Sequence, residues 1–410
     1  MRLAASSMLI VLFARSACTQ QAGAALTVQH VVDTYIAKNL ELEAAKFRLE
    51  RTRADQLATR VRLNPSLAVT AENFRVTGPI SFNQLYEVAT TYSEPIELGG
   101  KRRLRQSVAD LTVSTAEAQF ADAMRRGIAD VKRLYFQGVL ARYDVTIARE
   151  NRQTVEQLVQ LNLARFQEGA IPEADLIKVR LERIKFDTAL QQAELDLRRA
   201  MIRLLERLGD SAFPQDEVVG EMDSTLINPD LESLRQAVLR GRPDLQAAER
   251  EVNGANERLL LERARSRPDI TPFLGYKRLA VDNTLMFGFS MPLKIRDRNE
   301  AGIARAEADV KLAETQLARN RALAEVELAY AGFQTARQQV QTFRNELLRD
   351  ADEARSIALA SYEEGLTQLL PLLDAQRTRA EVRQQYFRTL FEYEISVVDL
   401  ETAVGMDLQP

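Results

Sequence analysis

Tryptophan is absent, and cysteine and histidine occur once each, as Cys18 and His30. A single thiol builds neither a disulfide framework nor a thiolate metal centre. His30 stands at the amphipathic start of a helix, beside Val28, Val31 and Val32, and reads as a surface residue rather than a ligand or base. No glycine-rich phosphate loop occurs, so catalytic triads, zinc sites and nucleotide pockets all lack their parts. The methionines are scattered and form no relay for soft metals. Neither an enzyme, a cofactor nor a resident metal is expected. Charge of one sign is also lacking. The formal net charge is −3, which leaves no electrostatic footprint for nucleic acid. The basic run Lys101-Arg102-Arg103-Leu104-Arg105 reads as a solvated helix start. No stretch reaches the ~18 apolar residues of a transmembrane helix.

The N-terminus reads as an export signal, residues 1–24. Arg2 is a minimal positive region, and the apolar run from Leu3 to Ala14 is too short to span a bilayer. Two processing sites compete. Ala22-Gly23-Ala24 fits ordinary signal peptidase. Ser16-Ala17-Cys18 resembles the end of a lipoprotein signal, with Cys18 lipidated, although Arg15 stands where such signals carry Leu.

Proline is missing from two long stretches, Pro95 to Pro172 and Pro292 to Pro371, which are rich in Ala, Arg, Gln, Glu and Leu. These are strong helix formers. A helix filling the first gap would be about 100 Å long at ~1.5 Å per residue. Two such rods do not fit a compact globule, so an elongated molecule is expected.

What is present is present twice. Asn64-Pro65-Ser66-Leu67 is echoed by Arg267-Pro268-Asp269-Ile270, and Ser93-Glu94-Pro95-Ile96 by Ser290-Met291-Pro292-Leu293. Arg165-Phe166-Gln167-Glu168-Gly169 is echoed by Ser361-Tyr362-Glu363-Glu364-Gly365. A period this long is no solenoid unit. It predicts two similar halves, residues 25–209 and 230–405, joined by a linker at 210–229 and followed by a tail at 406–410.

Each half predicts a helix, a strand pair and a long helical hairpin. Residues 26–62 read as one helix, ended by Asn64-Pro65. The strand pairs fall at 67–96 and 269–293, where apolar and polar residues nearly alternate. Their strands of 10–12 residues have the length that crosses a bilayer as tilted β. The hairpins fall at 101–208 and 297–404. Stripes such as Met124, Ile128, Val131, Tyr135 and Val139 suit coiled-coil seams. Gly169 with Pro172, and Gly365 with Pro371, break the rods.

The expected fold class is therefore α+β: a β-barrel continuous with a long α-helical tube. Four strands per chain cannot close a barrel, and an open edge in lipid leaves backbone groups unsatisfied. Three chains would supply twelve strands, an even number in the usual range. A homotrimer in a lipid bilayer, with six hairpins forming a hollow duct below, follows from this arithmetic.

The chain resembles the TolC-type outer membrane factors of Gram-negative tripartite efflux systems over about residues 26–404. The segment Ser93-Glu94-Pro95-Ile96-Glu97-Leu98-Gly99-Gly100-Lys101-Arg102 is similar to the strand-to-helix junction of the CzcC-like, cation-efflux branch. The resemblance implies that the lipid is outer membrane lipid. It implies an exit duct for metal cations, fed by a periplasmic adaptor and an inner-membrane RND-type, proton-driven pump. It implies a gate at the periplasmic tip, with Asp175 and Tyr362 at the positions of the gate bond and Asp374 at the deeper acidic ring. Thr367 replaces the Arg partner and Pro371 the other gate aspartate. The plainer alternatives are a helix N-terminal charge for Asp175, coiled-coil packing for Tyr362 and a solvated position for Asp374. The Gly169 and Gly365 turns are the implied adaptor contacts. Other readings of the whole chain are a drug, organic-solute or type I secretion duct, or a non-transporting periplasmic scaffold or adaptor. An adaptor would carry one hairpin flanked by lipoyl-like β segments rather than two strand–hairpin units.

Overall fold

A computed structural model describes residues 26–74, 77–79, 86–209, 220, 222, 226–279, 282–313 and 315–408. The export signal, Cys18 and most of the 210–229 linker lie outside the described residues. The elements run α1 (Val28–Lys38), α2 (Leu40–Arg60), β1 (Ser66–Glu72), β2 (Glu87–Ser93), α3 (Lys101–Gln167) and α4 (Glu173–Leu208). Then follow α5 (Leu231–Gly241), α6 (Pro243–Arg265), β3 (Thr271–Leu279), β4 (Asp282–Ser290), α7 (Glu300–Leu312), α8 (Thr315–Thr342), α9 (Leu348–Glu363) and α10 (Leu369–Val404).

The single helix expected over 26–62 is two. Asn39 turns extended (φ −69°, ψ 122°) and serves as the C-cap of α1 and the N-cap of α2. Its Oδ1 accepts from Leu42 N at 2.8 Å, and its Nδ2 donates to the Arg207 carbonyl at 2.7 Å. The break thus pins the chain entry to the end of α4. The rod of the first half is continuous: α3 has 67 residues. Its counterpart is interrupted at Ala313 and again by a π turn at Phe343–Leu347, where Leu348 N reaches back to the Phe343 carbonyl. Pro371 does not break a helix, because it falls in the first turn of α10, where a proline N–H is not needed.

The strands form one antiparallel sheet in the order β1-β2-β3-β4. They have 7, 7, 9 and 9 residues, shorter than expected, although an Ile96–Ile270 bridge continues the β2–β3 ladder toward the helices. The register sorts the side chains. Leu67, Tyr92, Leu274 and Phe287 form one row across all four strands, and Val69, Thr90, Tyr276 and Leu285 the next. The opposite face carries Thr70, Ala89, Lys277 and Thr284 in one row and Ala68, Thr91, Gly275 and Met286 in another. One face is apolar and exposed, with Phe287 at 85%. The other is mixed, with small and polar residues beside Phe273, Met286 and Leu279. Gly288, a weak point for an isolated strand, lies opposite Phe273, whose ring occupies the space a side chain would need.

The main core lies at mid-length. There α1 and α5 pack on α3, α4, α8 and α10 through Val31, Tyr35, Val131, Val139, Leu204, Phe333, Tyr393 and Leu400. A second, smaller cluster lies at the far end of the hairpins. Among the described residues no helix is long and apolar enough to cross a membrane.

Candidate functional site: the hairpin tip and the sheet–helix junction

The two hairpins turn in the same way. Gly169 and Gly365 are left-handed, with φ of 74° and 76°, a conformation that costs an L-residue about 1–2 kcal/mol. Ala170 N bonds the Arg165 carbonyl and Leu366 N the Ser361 carbonyl, each at 2.8 Å, which closes the last helical turn on both sides.

Behind these turns the two hairpins are bound to each other. Tyr362 is 4% exposed and packs with Leu158, Val159, Val179, Leu369, Leu372 and Leu373. Its hydroxyl donates to Asn162 Oδ1 at 2.6 Å, and Asn162 donates to the Leu158 carbonyl at 2.8 Å. The Arg165 guanidinium lies 4.6 Å from the Tyr362 ring centre and donates to the Tyr362 and Glu363 carbonyls. Asp175 is not part of this group. It stands in the first turn of α4, where a carboxylate suits the helix dipole, and pairs with Lys178 at 3.0 Å. Within one protomer Tyr362 is thus a packing residue that also makes a buried hydrogen bond, and Asp175 a helix-start charge. Asp374 is exposed, 3.7 Å from Arg377.

Two further polar layers follow along the rods. Arg377 donates two bonds to Glu182, at 2.9 and 2.6 Å, and Lys185 adds a third at 3.2 Å. The Arg377 bond holds the Glu182 carboxyl below its usual pKa, against burial, which pushes it up; Lys185 adds to the lowering. Deeper still, buried Gln376 donates to Asn151 at 3.2 Å. The sequence reading missed Asn151, Asn162, Glu182 and Gln376. A signal existed for two of them: Asn151, Val155, Leu158 and Asn162 continue the α3 seam at 4–3–4 spacing, and all four are buried. A polar residue on such a seam needs a partner.

The sheet–helix junction is built as firmly. Gly99 and Gly100 are both left-handed, with φ of 73° and 71°, and turn β2 into α3. Asp269 accepts from Leu98 N at 2.9 Å and from Lys101 Nζ at 2.7 Å, and Lys101 also reaches the Arg267 carbonyl at 2.6 Å. Arg105 grips Glu97 with two nitrogens, holding that carboxyl below its usual range against burial, with Lys101 a weaker influence in the same direction. At the other junction Asn299, at φ 67°, makes the left-handed turn and bonds Glu262. Among the described residues no group of His, Cys, Asp and Glu could hold a metal ion.

An open four-stranded sheet with one exposed apolar face, continuous with paired helical rods, suits a chain that meets lipid at one end and water along the rest. The model of the outer membrane efflux protein family matches residues 31–210 and 234–406, and the chain belongs to that family. It is an outer membrane efflux channel that extends into the periplasm, not an enzyme. The cobalt-zinc-cadmium resistance protein CzcC of Cupriavidus metallidurans is 28% identical over 390 residues, covering 94% of this chain and 91% of that protein. The cation efflux system protein CusC of Escherichia coli K12 is 24% identical over 403 residues, covering 92% and 86%. A solved structure of CusC has the same fold, with a TM-score of 0.78 at 19% identity over 92% of both chains.

Proposed function

We infer that three copies of this chain close a twelve-stranded barrel and form the exit duct for metal cations. The cations arrive from an inner-membrane RND-type pump through a periplasmic adaptor. Similarity to the cobalt-zinc-cadmium resistance protein over 94% of the chain carries the cargo reading. The open sheet supports the trimer: β1 and β4 are edges, and lipid-exposed edges are not tolerated. The apolar rows face lipid and the polar rows, with Glu72, Glu87 and Asp282 among them, face the lumen.

The adaptor meets the Gly169 and Gly365 turns. Asp175 and Tyr362 act in the gate, and three copies of Asp374 form a cation-selective ring. Supporting this, Asp374 is exposed rather than packed. The mature chain starts at Ala25, without lipid on Cys18. Its intact mass tests that, since an acylated Cys18 would appear directly. The central experiment is deletion of the gene. The strain should become sensitive to cobalt, zinc or cadmium, and plasmid expression should restore resistance. Unchanged metal tolerance with lowered solvent or drug tolerance would overturn the cargo reading.

A further inference from the structure

The four junctions between sheet and helices are all basic. At the inner junctions, where β2 leaves and β3 enters, Lys101 and Arg105 are paired with Asp269 and Glu97, while Arg102, Arg103 and Arg267 beside them make no ion pair among the described residues. At the outer junctions, where α2 leads into β1 and β4 leads to α7, the cations are exposed. Arg60, Arg62, Lys294, Arg296 and Arg298 make no ion pair among the described residues. The neighbouring acids Asp297 and Glu300 accept the backbone N–H groups of Asn299 and Arg298, at 2.7 and 3.3 Å. The cations alternate with apolar side chains that also face outward: Val61 is 63% exposed, Leu63 50%, Leu293 69% and Ile295 73%. Arg62 thus sits between Val61 and Leu63, and Lys294 between Leu293 and Ile295. Alternating apolar and cationic residues in an exposed segment suit a membrane interface. The apolar groups enter hydrocarbon while the cationic heads snorkel to the headgroups.

We propose that these two segments form a binding site for anionic phospholipid headgroups, with Arg62, Lys294 and Arg296 holding the phosphate. Arginine presents a fork of donors that matches two phosphate oxygens, and lysine adds a point charge. The site rests on the barrel closure proposed above. Because β1 and β4 are the sheet edges, the Arg62 segment of one protomer meets the Lys294 segment of the next at the closing seam. Each site is therefore completed by a second copy of the chain, and the bound lipid bridges the joint. The junctions are at the helix end of the sheet, the periplasmic side, so the occupant is phospholipid of the inner leaflet. Lipid A, in the outer leaflet, is excluded by the same placement.

Native mass spectrometry of the full-length protein with equimolar phosphatidylglycerol and phosphatidylcholine tests this. Adducts should favour phosphatidylglycerol by about fivefold or more, the preference falling at high salt as exposed charges are screened. It should be lost in the triple variant Arg62→Gln, Lys294→Gln, Arg296→Gln and kept in Arg180→Gln, Arg198→Gln, Arg240→Gln, where the charges lie on exposed helix positions. The salt response needs no variant and stands if the triple variant misfolds. Equal adducts of both lipids, a preference kept by the junction variant, or stronger uptake of lipid A would overturn the proposal. The mass of the protein in the same spectrum separates the failures. A trimer without preference sinks this site alone, whereas a monomer without preference sinks the assembly reading with it.

Discussion

At the scale of the residue, the Tyr362–Asn162 bond joins the two hairpins just behind their turns. Asn162 is fully buried, so Tyr362→Phe leaves its Oδ1 without a donor, a loss of about 1–3 kcal/mol. The double variant Asp175→Ala, Tyr362→Phe should raise single-channel conductance in planar bilayers, and Asp374→Asn should weaken cation selectivity. A lowered melting temperature with wild-type conductance would leave Tyr362 as packing only. The Glu182–Arg377 pair gives a pH signature. The folded-state pKa of Glu182 is lowered, so its stabilisation is complete above the unfolded carboxyl value near 4.3 and is lost as pH falls through the lower folded value. Thermal melts followed by circular dichroism should lose stability as pH falls through that window, and the loss should be smaller in Glu182→Gln. These residues were only partly legible in the sequence. Tyr362 could be placed by its distance from Gly365. Its partner Asn162 lay on the continuing α3 seam, but the pairing itself was not legible, because which residues meet across helices depends on seam register.

At the scale of the element, proline and glycine spacing located the hairpins and strand pairs because these residues act on the backbone directly. Interruptions without such residues stayed hidden. Asn39 breaks a helix by capping, and its only local sign is Lys38 before it and Glu41 and Glu43 after it, basic end against acidic start. The π turn at Phe343–Leu347 has no compositional mark at all. Asn39→Ala removes both the cap and the bond to the Arg207 carbonyl. A destabilisation of about 1–2 kcal/mol is expected, read as a lower urea midpoint with an unchanged slope. If α1 and α2 instead fuse into one helix without loss of stability, the cap is not what sets the break.

At the scale of the whole molecule, fold class followed from two arguments, rod length and unpaired strand edges, neither of which needs a side-chain contact. Cargo did not follow, because a duct touches its passengers weakly and leaves no built pocket to read. Detergent-extracted protein should show by light scattering the mass of three 46.2 kDa chains, less any segment removed in export. A stable monomer in the outer membrane would contradict the closed barrel.

The two free edges of the sheet also have a genetic consequence. A protomer that can enter the bilayer only in company makes channel yield depend on the purity of the pool as well as its size. In a three-fold assembly, a pool in which half the chains carry a defective β1 or β4 edge yields only about one eighth intact rings, if mixing is random. Edge-strand mutations should therefore be dominant: co-expressed with the unaltered gene, they should cost most of the resistance that a silent null allele would leave in place.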